Sequence, residues 1–295
     1  MKYCAYLLSF LFTCTLLAQG KVTHTYAIKG NDTLKLDVYT PNNIKPTDSL
    51  PLLLWMHGGG FSTGSRDNDN EKKLCQYVAN RGYIGVSISY RLLRKGAESA
   101  FGCDCDNDEK LHTFREAVKD YLDAANYLVR NSKSFHIDAA KIIAGGSSAG
   151  AEAILNAVYM REYFIDDLAK YKSVKFAGVF ALAGALVNAN YITVKNALPT
   201  VLFHGTDDQL VPFGTAPHHY CNTSNSGYLI LDGSSVIAKK LSDLKTAYYF
   251  YMVKGAGHEM SSIPFGELDN VFDFFDKTVF KHEIIQTKII KQKQP

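Results

Sequence analysis

The stretch KIIAGGSSAG, residues 141–150, carries the most information about the fold of this chain. Its first half is a short apolar run that predicts a buried strand, and residues 149–159 have the pattern of a helix. A strand that turns directly into a helix holds the residue at the turn in a strained backbone and projects its side chain outward. Gly146 and Gly150 flank Ser148 in a G-x-S-x-G pattern, in which small neighbours avoid clashes. Ser148 is therefore the candidate nucleophile.

The neighbouring Ser147 is the alternative at this turn. It has Gly145 before it, but Ala149 stands where the second glycine of the pattern belongs. The helix that follows Ser148 would direct free backbone N–H groups toward a negative charge. The sequence thus predicts that the N–H of Ala149 belongs to an anion-binding site beside the serine.

Strand-like and helix-like segments alternate on both sides of this turn. Continuous apolar runs such as residues 51–57 are typical of strands buried on both faces of a parallel sheet. The predicted class is an α/β fold with a mostly parallel central sheet and helices on both faces. The predicted strands are 22–28, 33–39, 51–57, 83–90, 141–145, 176–183, 200–204 and 248–253, and the predicted helices are 70–80, 108–131, 149–159, 235–244 and 265–280.

A glycine run, HGGGF at residues 57–61, comes at the end of a predicted buried strand. Three glycines let the main chain bend close to a bound molecule, and fixed N–H donors there would stabilise a negatively charged oxygen. Such a run alone also fits a flexible turn. Its position upstream of the serine turn favours the first interpretation, with Gly59 and Gly60 as donors together with Ala149.

A serine hydroxyl is a weak nucleophile at neutral pH, so it needs a base and a carboxylate that orients the base. In chains with this serine turn, the acid follows the serine and the histidine follows the acid. His258 lies in a loop of small residues after the predicted strand 248–253 and is the candidate base. The acid is one of two adjacent aspartates after the strand 200–204, with Asp208 preferred to Asp207.

Four other histidines come late in the chain. His204 precedes the acid and is interpreted as a packing or hydrogen-bonding residue at the end of a strand. His218 and His219 lie in a long irregular segment, where surface and substrate-contact roles are both open. His282 lies in a charged segment, residues 281–293, that is predicted to be a solvated end.

The motifs HGGGF, GGSSAG, HGTDDQLVPF and GAGHE occur in this order and span nearly the whole chain after residue 20. Together they resemble the carboxylesterase and lipase branch of the α/β-hydrolases. The resemblance implies a nucleophile, acid, base and three oxyanion donors at Ser148, Asp208, His258, Gly59, Gly60 and Ala149. The chain departs from the family pattern at Asp207, where a small residue is common.

The 295 residues are 46% hydrophobic and 21% charged, which is enough apolar material for a large core. No repeat or linker divides the chain, so residues 21–295 are predicted to form a single α/β-hydrolase catalytic domain. The formal net charge of +3 comes from nearly balanced totals and does not indicate nucleic-acid binding.

Residues 1–20 have the pattern of a signal peptide, with a basic residue, an apolar run and then Ala18 and Gly20. The apolar run is shorter than a membrane-spanning helix and contains polar residues. The sequence predicts cleavage near Gly20 and a secreted or periplasmic protein with no membrane span in its mature form. A membrane anchor and lipoprotein processing at Cys14 are the alternatives.

Four cysteines follow the predicted leader, namely Cys75, Cys103, Cys105 and Cys221. Three full disulfide pairings and free buried thiols are all open, although a direct Cys103–Cys105 bond would be strained. Residues 92–108 are polar and irregular and are predicted to form a small lid. The alternating aspartates at 104, 106 and 108 lack the glycine and the final glutamate of a calcium loop, so no metal is predicted.

These features predict a serine hydrolase that cleaves carboxylic esters through an acyl-enzyme and needs no cofactor. Small-molecule or carbohydrate-linked esters, such as acetylated or feruloylated sugars, are the expected substrates by analogy with the fold. One alternative is a serine peptidase of the same fold. The other is a non-catalytic binding module, which loss of a triad residue would indicate. The sequence leaves the oligomeric state open.

Overall fold

The computed structural model of the protein describes residues 20–293. The predicted signal peptide, apart from Gly20, and the alternative processing site at Cys14 lie outside this range. Among residues 20–293, none of the helices combines the length and the apolar character that crossing a bilayer demands.

Within the described range, nine strands form one sheet and three short strands form a second. The strands are β1 Lys21–Lys29, β2 Asp32–Tyr39, β3 Leu50–Met56, β4 Ile84–Ile88, β5 Ile137–Ser147, β6 Gly178–Leu182, β7 Ala185–Leu186, β8 Thr200–Gly205, β9 Thr215–Pro217, β10 Ile230–Gly233, β11 Tyr248–Lys254 and β12 Gln286–Gln292. The large sheet has the order β1-β2-β4-β3-β5-β6-β8-β11-β12, and the small sheet has the order β7-β10-β9. In the large sheet, β1–β2 and β2–β4 pair antiparallel, and all other neighbouring strands pair parallel. The strands of the small sheet pair antiparallel. The predicted α/β class with a mostly parallel sheet is therefore confirmed.

Helices cover both faces of the large sheet, as predicted. They are α1 Asp69–Asn80, α2 Asn107–Arg130, α3 Ala149–Tyr159, α4 Arg161–Phe164, α5 Ser234–Asp243 and α6 Leu268–Phe275. The central strand β3 shows why both faces are needed, because its side chains alternate between two cores. Leu54 packs in the same core as Phe114 of α2, and Trp55 packs in the other core with Phe272 of α6.

The C-terminal segment differs from its prediction. The sequence predicts a solvated end for residues 281–293, but Gln286–Gln292 forms β12 and pairs in parallel with β11. Thr287 and Ile289 are partly buried while their strand neighbours are exposed, so alternate side chains face the protein. The main-chain hydrogen bonds that this segment forms with the edge of the sheet stabilise it as a strand, although many of its residues are polar. The predicted helix 265–280 is also not a single α-helix. The α-helix α6 ends at Phe275, and the chain goes on as a π-helical turn, Asp276–Phe280.

The four cysteines among residues 20–293 form none of the three full pairings. One disulfide joins Cys103 to Cys221, and Cys75 and Cys105 are buried free thiols. The disulfide connects the irregular segment 92–108 to the segment between β8 and α5. That second segment, predicted to be irregular, contains β9 and β10.

Candidate active site

Ser148 occupies the sharp turn between β5 and α3, where the sequence pattern predicts it. Its backbone lies at φ 51° and ψ −124°, a left-handed conformation that is costly for a residue with a side chain. The flanking glycines are required by close packing. A Cβ atom added to Gly150 would lie 2.2 Å from the Met56 carbonyl oxygen, and one added to Gly146 would lie 2.6 Å from the backbone of Gly150. The turn can therefore form because both neighbours lack side chains.

Three side chains from separate segments form a hydrogen-bonded chain at this turn. The Ser148 Oγ lies 2.7 Å from His258 Nε2, and the His258 Nδ1 lies 2.7 Å from Asp208 Oδ2. A carboxylate only accepts, so Nδ1 carries the proton and Nε2 is free to accept from the serine hydroxyl. The structure thus brings together the serine, histidine and aspartate that the sequence analysis selected.

Asp208 is fully buried, whereas the adjacent Asp207 is exposed and accepts a hydrogen bond from the Thr206 hydroxyl. The Oδ1 of Asp208 accepts from the backbone N–H groups of Leu210 and Val211, at 2.9 and 3.0 Å. Burial raises the pKa of Asp208, but hydrogen bonds from His204 and His258 outweigh it and hold the pKa well below its usual range. Asp208 is therefore a preorganised carboxylate at neutral pH.

His204 contacts the same carboxylate oxygen as His258. It is fully buried, with Nε2 3.3 Å from Asp208 Oδ2 and Nδ1 2.8 Å from the Ser234 hydroxyl. This contact confirms the expected hydrogen-bonding role of His204 at the end of a strand.

The glycine loop passes directly over the serine turn. A Cβ atom on Gly58 would lie 3.1 Å from the Cβ of Ser148, and one on Gly59 would lie 2.3 Å from the Thr63 carbonyl oxygen. Gly59 and Gly60 have φ of 116° and 59°. The Tyr90 hydroxyl anchors the start of the loop by donating to the His57 carbonyl at 3.1 Å.

The three predicted donors of the glycine loop and helix start have free N–H groups. No backbone or side-chain acceptor among residues 20–293 takes a hydrogen bond from the N–H of Gly59, Gly60 or Ala149. Two of these groups lie on the loop that crosses the serine turn, and the third begins α3. They are available to a negative oxygen bound beside Ser148.

Ser148 and His258 open into a cavity of about 590 Å³. His218 and His219 line it as well, so the structure places these two histidines beside the candidate triad and away from the open surface. A larger cleft of about 950 Å³ lies elsewhere, between residues 158 and 198, and contains none of the triad residues. We take the smaller cavity as the candidate active site because it contains the reactive groups.

Glu152 is a further residue of this cavity, and the sequence analysis missed it. It lies on α3 four residues after Ser148, in a helix whose residues are all buried. The available signal was a carboxylate within a largely apolar helix, one turn beyond the candidate nucleophile. Burial, together with the nearby Asp208 carboxylate, raises the pKa of Glu152 well above its usual value.

Within residues 20–293, no group of three or more His, Cys, Asp or Glu side chains is arranged to hold a metal ion. In the aspartate series after residue 103, Asp106 caps α2 by accepting a hydrogen bond from the N–H of Asp108 at 2.9 Å. This pair has a structural role at the start of the helix.

Comparison with known proteins assigns the chain to a family. The BD-FAE family profile matches residues 36–185, about half of the chain. Among similar proteins, gut esterase 1 of Caenorhabditis elegans is 29% identical over 173 residues, which is 59% of this chain and 28% of that protein. Phenmedipham hydrolase of Pseudarthrobacter oxydans is 32% identical over 123 residues, 42% of this chain and 22% of that protein. The chain thus spans about a quarter of the length of these curated relatives.

Solved structures share the fold over nearly the whole chain. Esterase 2 of Thermogutta terrifontis, solved after phosphorylation by paraoxon, superimposes with a TM-score of 0.64 at 18% sequence identity. The match covers 91% of this chain and 96% of the other. At this level of identity the likeness establishes a common fold.

Proposed function

Because the chain belongs to the BD-FAE family of α/β-hydrolases, we propose that it is a serine esterase that cleaves carboxylic esters through an acyl-enzyme on Ser148. The observation that carries the proposal is the continuous hydrogen-bonded chain from the Ser148 hydroxyl through His258 to Asp208. The names of its relatives, which include esterases and lipases, support the same reaction.

The proposed reaction begins when Ser148 Oγ attacks the ester carbonyl carbon and passes its proton to His258 Nε2. The carbonyl oxygen becomes negatively charged and accepts hydrogen bonds from the N–H groups of Gly59, Gly60 and Ala149. The tetrahedral intermediate collapses as the bond to the alcohol breaks, and the imidazolium gives its proton to the departing oxygen. A water molecule then attacks the acyl-serine through the same steps. This releases the carboxylic acid and restores the free hydroxyl of Ser148.

Asp208 has two roles in this proposal. Its carboxylate fixes the Nδ1–H tautomer of His258, so that Nε2 faces the serine. It also stabilises the imidazolium that forms when the serine is deprotonated. Because hydrogen bonds keep Asp208 ionised, both roles are available across the neutral pH range.

We propose small-molecule or carbohydrate-linked esters as substrates. The open cavity beside Ser148 has the volume for such a molecule. We also propose that residues 1–20 direct export to a secreted or periplasmic location and that residues 21–295 act as one catalytic domain. These proposals rest on the leader pattern and on the continuous motif order in the sequence.

Hydrolysis of 4-nitrophenyl acetate by purified protein and by the Ser148→Ala variant tests the reaction. We expect the variant to lose at least about 1,000-fold in kcat/KM, because the attacking hydroxyl is gone. Ser147→Ala is the matched control and should keep most of the activity, since its hydroxyl is bonded to the Ser261 carbonyl. Equal rates for wild type and Ser148→Ala would exclude the proposed mechanism. Faster cleavage of a peptide amide than of the ester would favour a peptidase.

A further inference from the structure

Glu152 and His218 meet at the wall of the cavity that contains Ser148. Glu152 is 2% exposed and His218 is 1% exposed, yet both line the cavity. They come from different elements, since Glu152 lies on α3 and His218 begins the turn after β9. The His218 Nε2 lies 3.4 Å from the Glu152 Oε1.

Each residue of this pair has a buried polar atom without a hydrogen-bond partner among the described residues. These atoms are the Oε1 of Glu152 and the Nδ1 of His218. Buried polar groups are nearly always satisfied, because an unpaired one costs its desolvation free energy. Two such atoms on a contacting pair of residues at a cavity wall therefore indicate a site that a bound polar group would complete.

The environment disfavours the charged form of both residues. Burial first, and then the Asp208 carboxylate, raise the pKa of Glu152 well above its usual value. Burial, with added repulsion from His219 and Lys110, lowers the pKa of His218 well below its usual value. A carboxylic acid and a neutral imidazole can each donate and accept a hydrogen bond.

The surroundings favour an uncharged ligand group over a charged one. An anion would come close to the Asp208 carboxylate, and a cation would come close to the Lys110 ammonium group, which donates to the Gly227 carbonyl at 2.6 Å. The rings of Phe101 and Phe114 lie against His218, with centroid distances of 5.3 and 6.4 Å. A hydroxyl group on an otherwise apolar or sugar-like framework matches this combination of polar atoms and neighbouring aromatic rings.

We propose that Glu152 and His218 together form a subsite that hydrogen-bonds a hydroxyl group of the ester substrate. Glu152 lies one helical turn beyond Ser148, about 6 Å along the same face of α3. The subsite therefore receives a hydroxyl a few bonds from the reacting carbonyl, on the acyl part or on the alcohol part of the ester. The inference rests on the proposed esterase function and assigns two specificity residues within it.

Matched substrates with and without the hydroxyl test the subsite. In the acyl arm, ethyl 3-hydroxybutyrate is compared with ethyl butyrate. In the alcohol arm, a methyl 6-O-acetylglucoside is compared with cyclohexylmethyl acetate. The measured quantity is the ratio of kcat/KM for the hydroxylated ester to that for its partner. A ratio taken within one variant cancels any loss of folded protein.

Glu152→Met and His218→Phe remove the polar atoms while retaining side-chain bulk. We expect the ratio to fall at least about fivefold in both variants in one arm, which identifies the part of the ester that occupies the subsite. Glu152→Gln should keep most of the ratio, because an amide also donates and accepts. Glu162→Met, on an exposed glutamate, is the matched control and should leave the ratio unchanged.

Ratios that stay unchanged in both arms, in either Glu152→Met or His218→Phe, would overturn the subsite. That outcome is distinct from failure of the esterase proposal. If the esterase proposal fails, wild-type protein cleaves none of the four esters, or Ser148→Ala cleaves them equally well.

Discussion

Asp208 and Asp207 are adjacent aspartates with opposite surroundings. Asp208 is buried and bonded to His258, while Asp207 is exposed. The chain turns after β8, and only Asp208 reaches the histidine. Sequence reasoning prefers Asp208 by its place in the motif, but the direction of each side chain depends on the folded loop.

Asn substitutions at the two aspartates provide a matched comparison. We expect Asp208→Asn to lower kcat/KM for 4-nitrophenyl acetate by about 1,000- to 10,000-fold, because an amide fails to hold the productive His258 tautomer. Asp207→Asn should change it by less than about threefold, since its contact is to the Thr206 hydroxyl on the surface. The reverse ranking would show that the acid is misassigned.

The sequence predicts only part of the backbone conformation of the glycine loop, residues 57–61. The run of three glycines indicates a close approach, and the structure shows Gly59 at φ 116° with no room for a Cβ atom. The tightest contact is with Thr63, which lies beyond the motif. The glycines are thus required by packing that the motif alone does not reveal.

Gly59→Ala should disturb the loop and its proposed oxyanion donors. We expect kcat/KM for 4-nitrophenyl acetate to fall at least about tenfold, since the added methyl group strains the backbone and displaces an N–H donor. Gly266→Ala is the control, because a Cβ atom there meets nothing within 4 Å and its φ lies outside the left-handed region. Unchanged activity in Gly59→Ala, measured alongside thermal unfolding, would remove the loop from the proposed mechanism.

The disulfide between Cys103 and Cys221 links distant parts of the molecule beside the cavity. It closes a separation of 118 residues and joins the segment 92–108 to the segment that carries His218. A cross-link of this span restricts the unfolded chain strongly and also restrains the cavity wall. The sequence left the pairing open because cysteine spacing does not determine which segments meet.

Replacing both bonded cysteines by serine should lower the free energy of unfolding by about 2–4 kcal/mol. Denaturant unfolding of wild type and of the double variant measures the difference. A reductant should destabilise the wild type by a similar amount and leave the double variant unchanged. If the reductant affects both proteins equally, the stabilisation does not come from this bond.

Local sequence was sufficient for the features that depend on neighbouring residues. The serine turn, the buried strands and the order of the motifs follow from side-chain size, apolar periodicity and chain direction within short stretches. For this reason the sequence alone predicts the α/β class and selects the candidate serine, histidine and aspartate.

Features that depend on contacts between distant segments required the folded molecule. The pairing of β12 with β11, the Cys103–Cys221 bond and the meeting of Glu152 with His218 each join residues from different elements. Each contact forms between residues that are far apart in the sequence, so it leaves no local pattern in the chain.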